Sequence, residues 1–206
     1  MNAAAKLARR ASSDIDLIAV SKTRDAETIK PLLEAGHRQF GENRVQEALE
    51  KWPKLKEEYP DVQLHLIGQL QSNKAAEAIQ LFDVIHGLDR MSLLNALAKE
   101  MKKADRTISC FLQINIGDEE QKGGCRIDEI ETLLSAADDN AIPIIGLMCI
   151  PPAEIDSAPF FSLMAKLAKH YGLPNLSMGM SSDYETAITI GATHVRVGTA
   201  LFGARK

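Results

Sequence analysis

The chain has 206 residues, of which 45% are hydrophobic and 25% charged. That length and balance fit a globular protein of one domain, at most two, with enough chain to bury a full core. A formal net charge of −4 gives nucleic acid no basic surface to bind, and no apolar run approaches the roughly 18 residues of a membrane span.

Met1 to Ser12 carries basic residues but no apolar stretch. It reads as part of a short helical extension over residues 1–14, not as a signal peptide, and the cytoplasm is the expected location. Leu17–Lys22 reads as an apolar strand ending on a lysine. Asp25–Ala35 follows as a helix, with Ile29, Leu32 and Leu33 on one face and Gly36 as its stop. After a second strand at Gln39–Asn43, Lys51, Lys54 and Lys56 interleave with Glu50, Glu57 and Glu58, the pattern of a solvated helix face. Further strands are expected at Gln63–Gly68, Val84–Leu88, Ser109–Asn115, Ile144–Ile150, Leu176–Gly179 and His194–Gly198. Helical spacing recurs at Met91–Met101, Ile127–Ala137 and Phe160–His170. Asp25, Ser92, Asp128, Ser157 and Ser182 are expected at helix starts.

The three cysteines, Cys110, Cys125 and Cys149, are odd in number and widely spaced. Neither a disulfide framework nor a cysteine zinc site is expected, and Cys110 and Cys149 should pack as small hydrophobes. About eight strands alternating with helices predict one (β/α)8 barrel domain over residues 1–206. A doubly wound open sheet is the alternative, and Gln39–Asn43 and Leu176–Gly179 decide between the two. No Gly-x-Gly-x-x-Gly follows the first strand, which argues against a Rossmann nucleotide site.

In a barrel, function gathers at the C-terminal ends of the strands. Read in order, those ends supply Lys22, Glu42-Asn43, His65 to Gly68, His86 to Asp89, Asn115, Met148 to Pro151, Ser177 to Ser181 and Arg196 to Thr199. The loops after strands seven and eight commonly hold phosphate, because amides at a helix start lack partners and the helix dipole favours an anion. Gly198 allows close backbone approach, and Thr199, Ser177 and Ser181 can donate hydroxyls. Equally, Gly179 and Gly198 could simply end strands, and Ser181 or Ser182 could cap a helix. If the barrel closes, strand one lies beside strand eight, and Lys22 comes within reach of a ligand whose phosphate sits at Gly198-Thr199. A strand-end lysine beside a phosphate cradle suggests a phosphorylated aldehyde held as a Schiff base, with pyridoxal 5'-phosphate as the leading ligand. Arg196 would point at the ring of such a ligand, form a structural ion pair or make a second phosphate contact. Met178 and Met180 read as packing residues, against the core or a ligand ring. His65 and His86, with Glu42 and Asp89, leave a divalent-metal site as a rival.

The segments Ala19-Val20-Ser21-Lys22-Thr23, Phe40-Gly41-Glu42-Asn43, His65-Leu66-Ile67-Gly68, Leu70-Gln71-Ser72-Asn73-Lys74, Leu176-Ser177-Met178-Gly179-Met180-Ser181 and the run Val195 to Arg205 resemble the pyridoxal-phosphate homeostasis proteins, in unbroken order. The resemblance implies a type III pyridoxal-phosphate fold, a barrel like the N-terminal domain of alanine racemase. It makes Lys22 the Schiff-base lysine, puts the phosphate on the Ser177–Ser181 turn and on Gly198-Thr199, Arg196 at the pyridine nitrogen and Asn43 near the cofactor face. With strand-end residues His65, Met148 and Met178 added, the expected cofactor-binding set is Lys22, Asn43, His65, Met148, Ser177, Met178, Ser181, Arg196, Gly198 and Thr199. The resemblance further implies a carrier or buffer of the cofactor that affects amino-acid and keto-acid balance, without a defined catalysed reaction; apo-enzymes are expected as partners, a monomer is expected without the racemase's β-domain, and no metal is expected. Two departures from the family pattern are a short stretch before Leu17 and a glycine-rich loop, Gln121-Lys122-Gly123-Gly124, where a serine is common. No β-domain like the racemase's is expected, and Tyr59, Tyr171 and Tyr184 do not supply its second acid/base group. An enzyme of limited, racemase-like activity is the alternative.

Overall fold

The computed structural model describes residues 1–203; the last residues of the resemblance run, Ala204-Arg205, lie outside the described residues. Eight parallel strands close into a barrel in simple sequence order. They are β1 (Asp16–Val20), β2 (Gln39–Glu42), β3 (Gln63–Leu66), β4 (Val84–Leu88), β5 (Ser109–Ile114), β6 (Ile144–Cys149), β7 (Asn175–Ser177) and β8 (His194–Val197). The two strands that decided between open sheet and barrel both form, and β1 pairs with β8 as well as with β2. Several strands end a residue or two before their expected ends: β1 stops at Val20 and β7 at Ser177. The polar residues just beyond leave the ladder to build the barrel mouth, so strand-like composition there belongs to loops.

The outer layer is α1 (Asn2–Leu7), α2 (Ala26–Glu34), α3 (Val45–Glu58), α4 (Ala75–Leu81), α5 (Met91–Ala104), α6 (Ile130–Asp139), α7 (Ala158–His170), α8 (Tyr184–Ile190) and α9 (Thr199–Phe202). Asp25 caps α2 as expected, its carboxylate accepting from the Thr28 N–H at 2.8 Å and the Thr28 hydroxyl at 2.6 Å. Ser157 precedes α7, but its side chain makes no capping bond. Ser92 is the second residue of α5 and Asp128 lies in the first turn of the short 3-10 helix before α6, both at helix starts as expected; Asp183, not Ser182, precedes α8. On α3 the lysines part company. Lys54 is exposed, whereas Lys51 pairs with the buried Glu42 at 2.8 Å and Lys56 with Asp83 at 2.8 Å. The expected solvated face is therefore corrected: two of its three lysines turn inward, because carboxylates on neighbouring elements wait there. Cys110, Cys125 and Cys149 are free and buried, and burial pushes each thiol up to about 12.

The apolar core lies between sheet and helices, with Trp52, Phe40, Phe82 and Phe161 fully buried in it. The barrel interior is different. Barrel interiors are usually filled by branched aliphatics; this one holds a small cluster of Val84, Phe111 and Met148 beside buried His65, His86, Gln113, Ser177, His194 and Arg196. These polar groups form a directed chain. His65 Nε2 bonds the Gln39 amide oxygen at 2.6 Å, so that nitrogen carries the proton. His65 Nδ1 then accepts from His86 Nε2 at 3.0 Å, and His86 Nδ1 accepts from the Ser177 hydroxyl at 2.9 Å. His86 also stacks on Phe111, with ring centroids 4.4 Å apart.

Both histidines are neutral in the fold. Burial, helped by the charge of His194, pushes His65 down to about 3. Burial first, then the charges of His65, Arg196 and His194, holds His86 well below its ordinary value. The unfolded chain binds these protons near pH 6.5 and the folded one does not, so stability is full above about pH 6.5 and falls as pH drops toward 3. We expect a loss on the order of 1 kcal/mol per pH unit per histidine across that window. Urea unfolding followed between about pH 7.5 and pH 5 checks this, and an unchanged midpoint over that range would contradict it.

Candidate functional site

At the C-terminal mouth of the barrel lies a cavity of about 520 Å³, within the usual range for small-ligand sites. Six of the ten expected residues line it: Lys22, Asn43, Ser181, Arg196, Gly198 and Thr199. Val20, Arg24, Ile67, Ile150, Met180, Ser182 and Gly203 complete the wall.

Lys22 stands in the turn just after β1, half-buried. Barrel closure puts it near the last strand. Ile18 is in register with Arg196 and Ala19 with Val197, so Val20 runs beside Gly198 and the β1 turn faces the start of α9. A Cβ added at Gly198 would lie 3.2 Å from the Val20 carbonyl oxygen. Thr199 opens α9, and the first amides of a helix have no intrahelical acceptor. The adjoining wall is the Met180-Ser181-Ser182 turn after β7. It needs Gly179, whose φ is +94° and whose Cβ, if present, would come within 2.6 Å of the Ala187 side chain. The Asp183 carboxylate closes this turn by accepting from the Met180 N–H at 2.7 Å. Asn43 follows directly on β2, and Gly68 packs on it so tightly that a Cβ there would meet the Asn43 carbonyl oxygen at 2.3 Å.

Arg196 forms part of the wall although it is only 4% exposed. Its Nη1 donates to the Ser177 carbonyl at 2.7 Å and the Ser177 hydroxyl at 2.5 Å, and its Nη2 to the Cys149 carbonyl at 2.8 Å. All three acceptors are neutral. Burial lowers the pKa of the guanidinium from its ordinary value, with Cys149 and Asp183 opposing, yet guanidinium keeps its charge in proteins. Three of its five N–H donors are used in these bonds, which leaves two for a ligand. The Ser177 hydroxyl, accepting from Arg196, donates onward to His86, so the interior chain ends on Arg196.

Four expected residues are not cavity walls, and each has a physical reason. His65 is buried inside the barrel between His86 and Gln39. Met148 packs below the mouth against Val84 and Phe111. Ser177 is fully buried, with its oxygens bonded to Arg196. Met178 is on the opposite face of the chain from Ser177 and is buried in the outer core. Among the missed residues, Ile67 is legible in hindsight, since it shares the inward face of His65 two positions on. Met180, not Met178, is the methionine at the cavity. Arg24 and Gly203 meet only through the fold, the Arg24 Nη2 donating to the Gly203 carbonyl at 2.6 Å. The rival metal site does not assemble: among the described residues no group of three His, Cys, Asp or Glu could hold an ion. The Glu42 carboxylate instead takes Ser21, Trp52 and Lys51, and burial raises its pKa against those partners. No helix among the described residues is long and apolar enough to cross a membrane.

Residues 2–206 match the family model for the alanine racemase N-terminal domain. A pyridoxal phosphate homeostasis protein of Escherichia coli K12 is 37% identical over 215 residues, covering 100% of this chain and 92% of that protein. The chain belongs to the pyridoxal phosphate homeostasis protein family. A member from Aquifex aeolicus is 38% identical, with 98% and 92% of the two chains covered. The chain is also similar to PipY of Synechococcus elongatus, solved without and with pyridoxal phosphate bound. The two structures align at TM-scores of 0.86 and 0.85, with 38% and 36% identity and 97% of both chains covered. Alanine racemase of Clostridium difficile aligns at a TM-score of 0.76 with 14% identity, covering 99% of this chain and 55% of the racemase, and shares the fold.

Proposed function

We propose that this chain binds pyridoxal 5'-phosphate at the barrel mouth through Lys22 and serves cofactor homeostasis in the cytoplasm as a carrier or buffer. Bound there, the cofactor would supply an aldehyde, for which a lysine amine is the matching nucleophile, and a phosphate able to accept hydrogen bonds. The observation that carries this reading is that Lys22, Arg196, Ser181 and Thr199 line one cavity. The residues present fit the group. Ser181, Ser182, Thr199 and the first amides of α9 would hold the phosphate, with charge-assisted bonds stronger than neutral ones. Ile67, Ile150 and Met180 offer apolar and sulfur contacts to a ring. The two spare donors of Arg196 suit a ring nitrogen, to which guanidinium offers a hydrogen bond and not a proton. Asn43 completes the wall on the β2 side.

The same wall argues against rapid chemistry. Among the described residues the cavity has no carboxylate, histidine, tyrosine or cysteine, so Lys22 is the one acid/base side chain of the common catalytic types on its wall. Tyr184 is on α8, outside the cavity, and Tyr59 and Tyr171 sit at the C-terminal ends of α3 and α7. Racemisation needs a group on each face. Hand-off to apo-enzymes and a monomeric state belong to the same reading, as does one domain over residues 1–206.

Borohydride treatment of protein loaded with pyridoxal 5'-phosphate, followed by peptide mapping, should place the pyridoxyl group on Lys22. A label on Lys74 or Lys122 in its place would overturn the assignment. Incubation of the loaded protein with L-alanine and L-serine should give no turnover faster than about one per second, the lower edge of the usual range for enzymes. Sustained racemisation or keto-acid formation above that rate would make the protein an enzyme.

A further inference from the structure

We propose that Lys51 is a positioning residue for Lys22: with Glu42 and Glu47 it clamps the backbone on both sides of the Lys22-Thr23 turn and so fixes where the reactive amine is rooted. The inference rests on Lys22 being the lysine that captures the aldehyde.

The strand ladder reaches only the first residue of this turn: the Ser21 N–H donates to the Gly41 carbonyl at 3.0 Å and the Arg24 N–H back to the Ser21 carbonyl at 3.1 Å, while Lys22 and Thr23 lie beyond the end of β1 at Val20. Thr23 adopts φ +62°, a left-handed conformation that β-branched residues disfavour. Such a conformation persists only where the surroundings impose it. The Lys51 ammonium lies 2.8 Å from the Ser21 carbonyl oxygen and 2.9 Å from that of Arg24, so one cation spans the residues flanking Lys22-Thr23. Glu47, one helical turn before Lys51, bonds Lys51 Nζ at 2.9 Å and accepts from the strained Thr23 N–H at 2.5 Å. Glu42 anchors the group from below. Its Oε1 takes Lys51 Nζ at 2.8 Å, the Ser21 hydroxyl at 2.6 Å and the Trp52 indole at 2.9 Å.

Burial argues that this cluster is not there for stability. The Glu42 side chain is fully buried and that of Lys51 is 9% exposed, while Glu42 Oε2 is buried without a partner among the described residues. A buried ion pair is weak evidence of net stabilisation, and apolar packing often does as well. What apolar packing cannot do is hold two carbonyls and an amide of the adjacent turn in one geometry. A lysine side chain is long and flexible, so fixing its backbone root is how the fold can narrow the space its amine searches.

The test uses the full chain with two ligands. Pyridoxal 5'-phosphate reports covalent capture, read from its visible absorbance and from borohydride-trapped adduct. Pyridoxine 5'-phosphate, with the same ring and phosphate but no aldehyde, reports the rest of the site. Lys51→Met combined with Glu42→Gln removes the cation from the Ser21 and Arg24 carbonyls together with its buried anchor, leaving no unpaired buried charge and only Glu47 on the Thr23 N–H. It should lower the equilibrium yield of covalent capture about tenfold or more while changing pyridoxine 5'-phosphate affinity by less than about twofold. Glu47→Ala, at a side chain about a quarter exposed, keeps the question open to test if the double variant does not fold. It should lower capture about threefold with the same selectivity. Unchanged capture in a folded variant, or equal losses for both ligands, would overturn the proposal. Absence of adduct on Lys22 in the unaltered protein would instead overturn the proposed function.

Discussion

The pairing of β1 with β8 is the contact on which the site depends. Four residue pairs, from Asp16 with His194 to Ala19 with Val197, join the two ends of the chain. A lysine near position 20 and a threonine near position 200 share one wall because of those pairs. In an open sheet these residues would lie on separate edges. The covalent and phosphate-binding halves proposed for the site are therefore products of closure, and neither half is complete on its own strand.

Closure also encloses a barrel interior that would be costly if any member were unpaired. The hydrogen-bond chain from Arg196 through Ser177, His86 and His65 to Gln39 avoids that cost by running in one direction. Arg196 can only donate and the Gln39 oxygen can only accept, so each neutral imidazole has one tautomer that fits. Its position on this chain holds the guanidinium at the cavity floor with charge intact and donors to spare. The same arrangement explains why a positive charge is stable there with no contacting carboxylate among the described residues: polar oxygens from β6 and β7 solvate it.

The barrel was legible in the sequence because alternation of short apolar runs with amphipathic helices is a local property, and even the short strands Gln39–Glu42 and Asn175–Ser177 carry it. The mouth was legible in part, since Lys22, Asn43, Ser181, Arg196, Gly198 and Thr199 all follow strand ends and line the cavity. Depth was not. His65, Ser177 and Met148 face inward yet sit below the mouth, and only register shows how far each strand has risen. Met178 failed for a different reason, because one step along a strand reverses the side chain. Lys51 was illegible for a third: a lysine among glutamates on a helix looks solvated until the buried Glu42 is placed beneath it.

If closure makes one site of two halves, a ligand that engages both should gain far more than the better of its parts, because the second contact becomes intramolecular. Titration calorimetry on the unaltered protein with pyridoxal 5'-phosphate, pyridoxal and pyridoxine 5'-phosphate measures this directly. The account predicts that pyridoxal 5'-phosphate binds on the order of 100-fold tighter than either ligand lacking one group. Binding no tighter than that of pyridoxine 5'-phosphate would mean that Lys22 and the phosphate wall do not act on one ligand, and would contradict it.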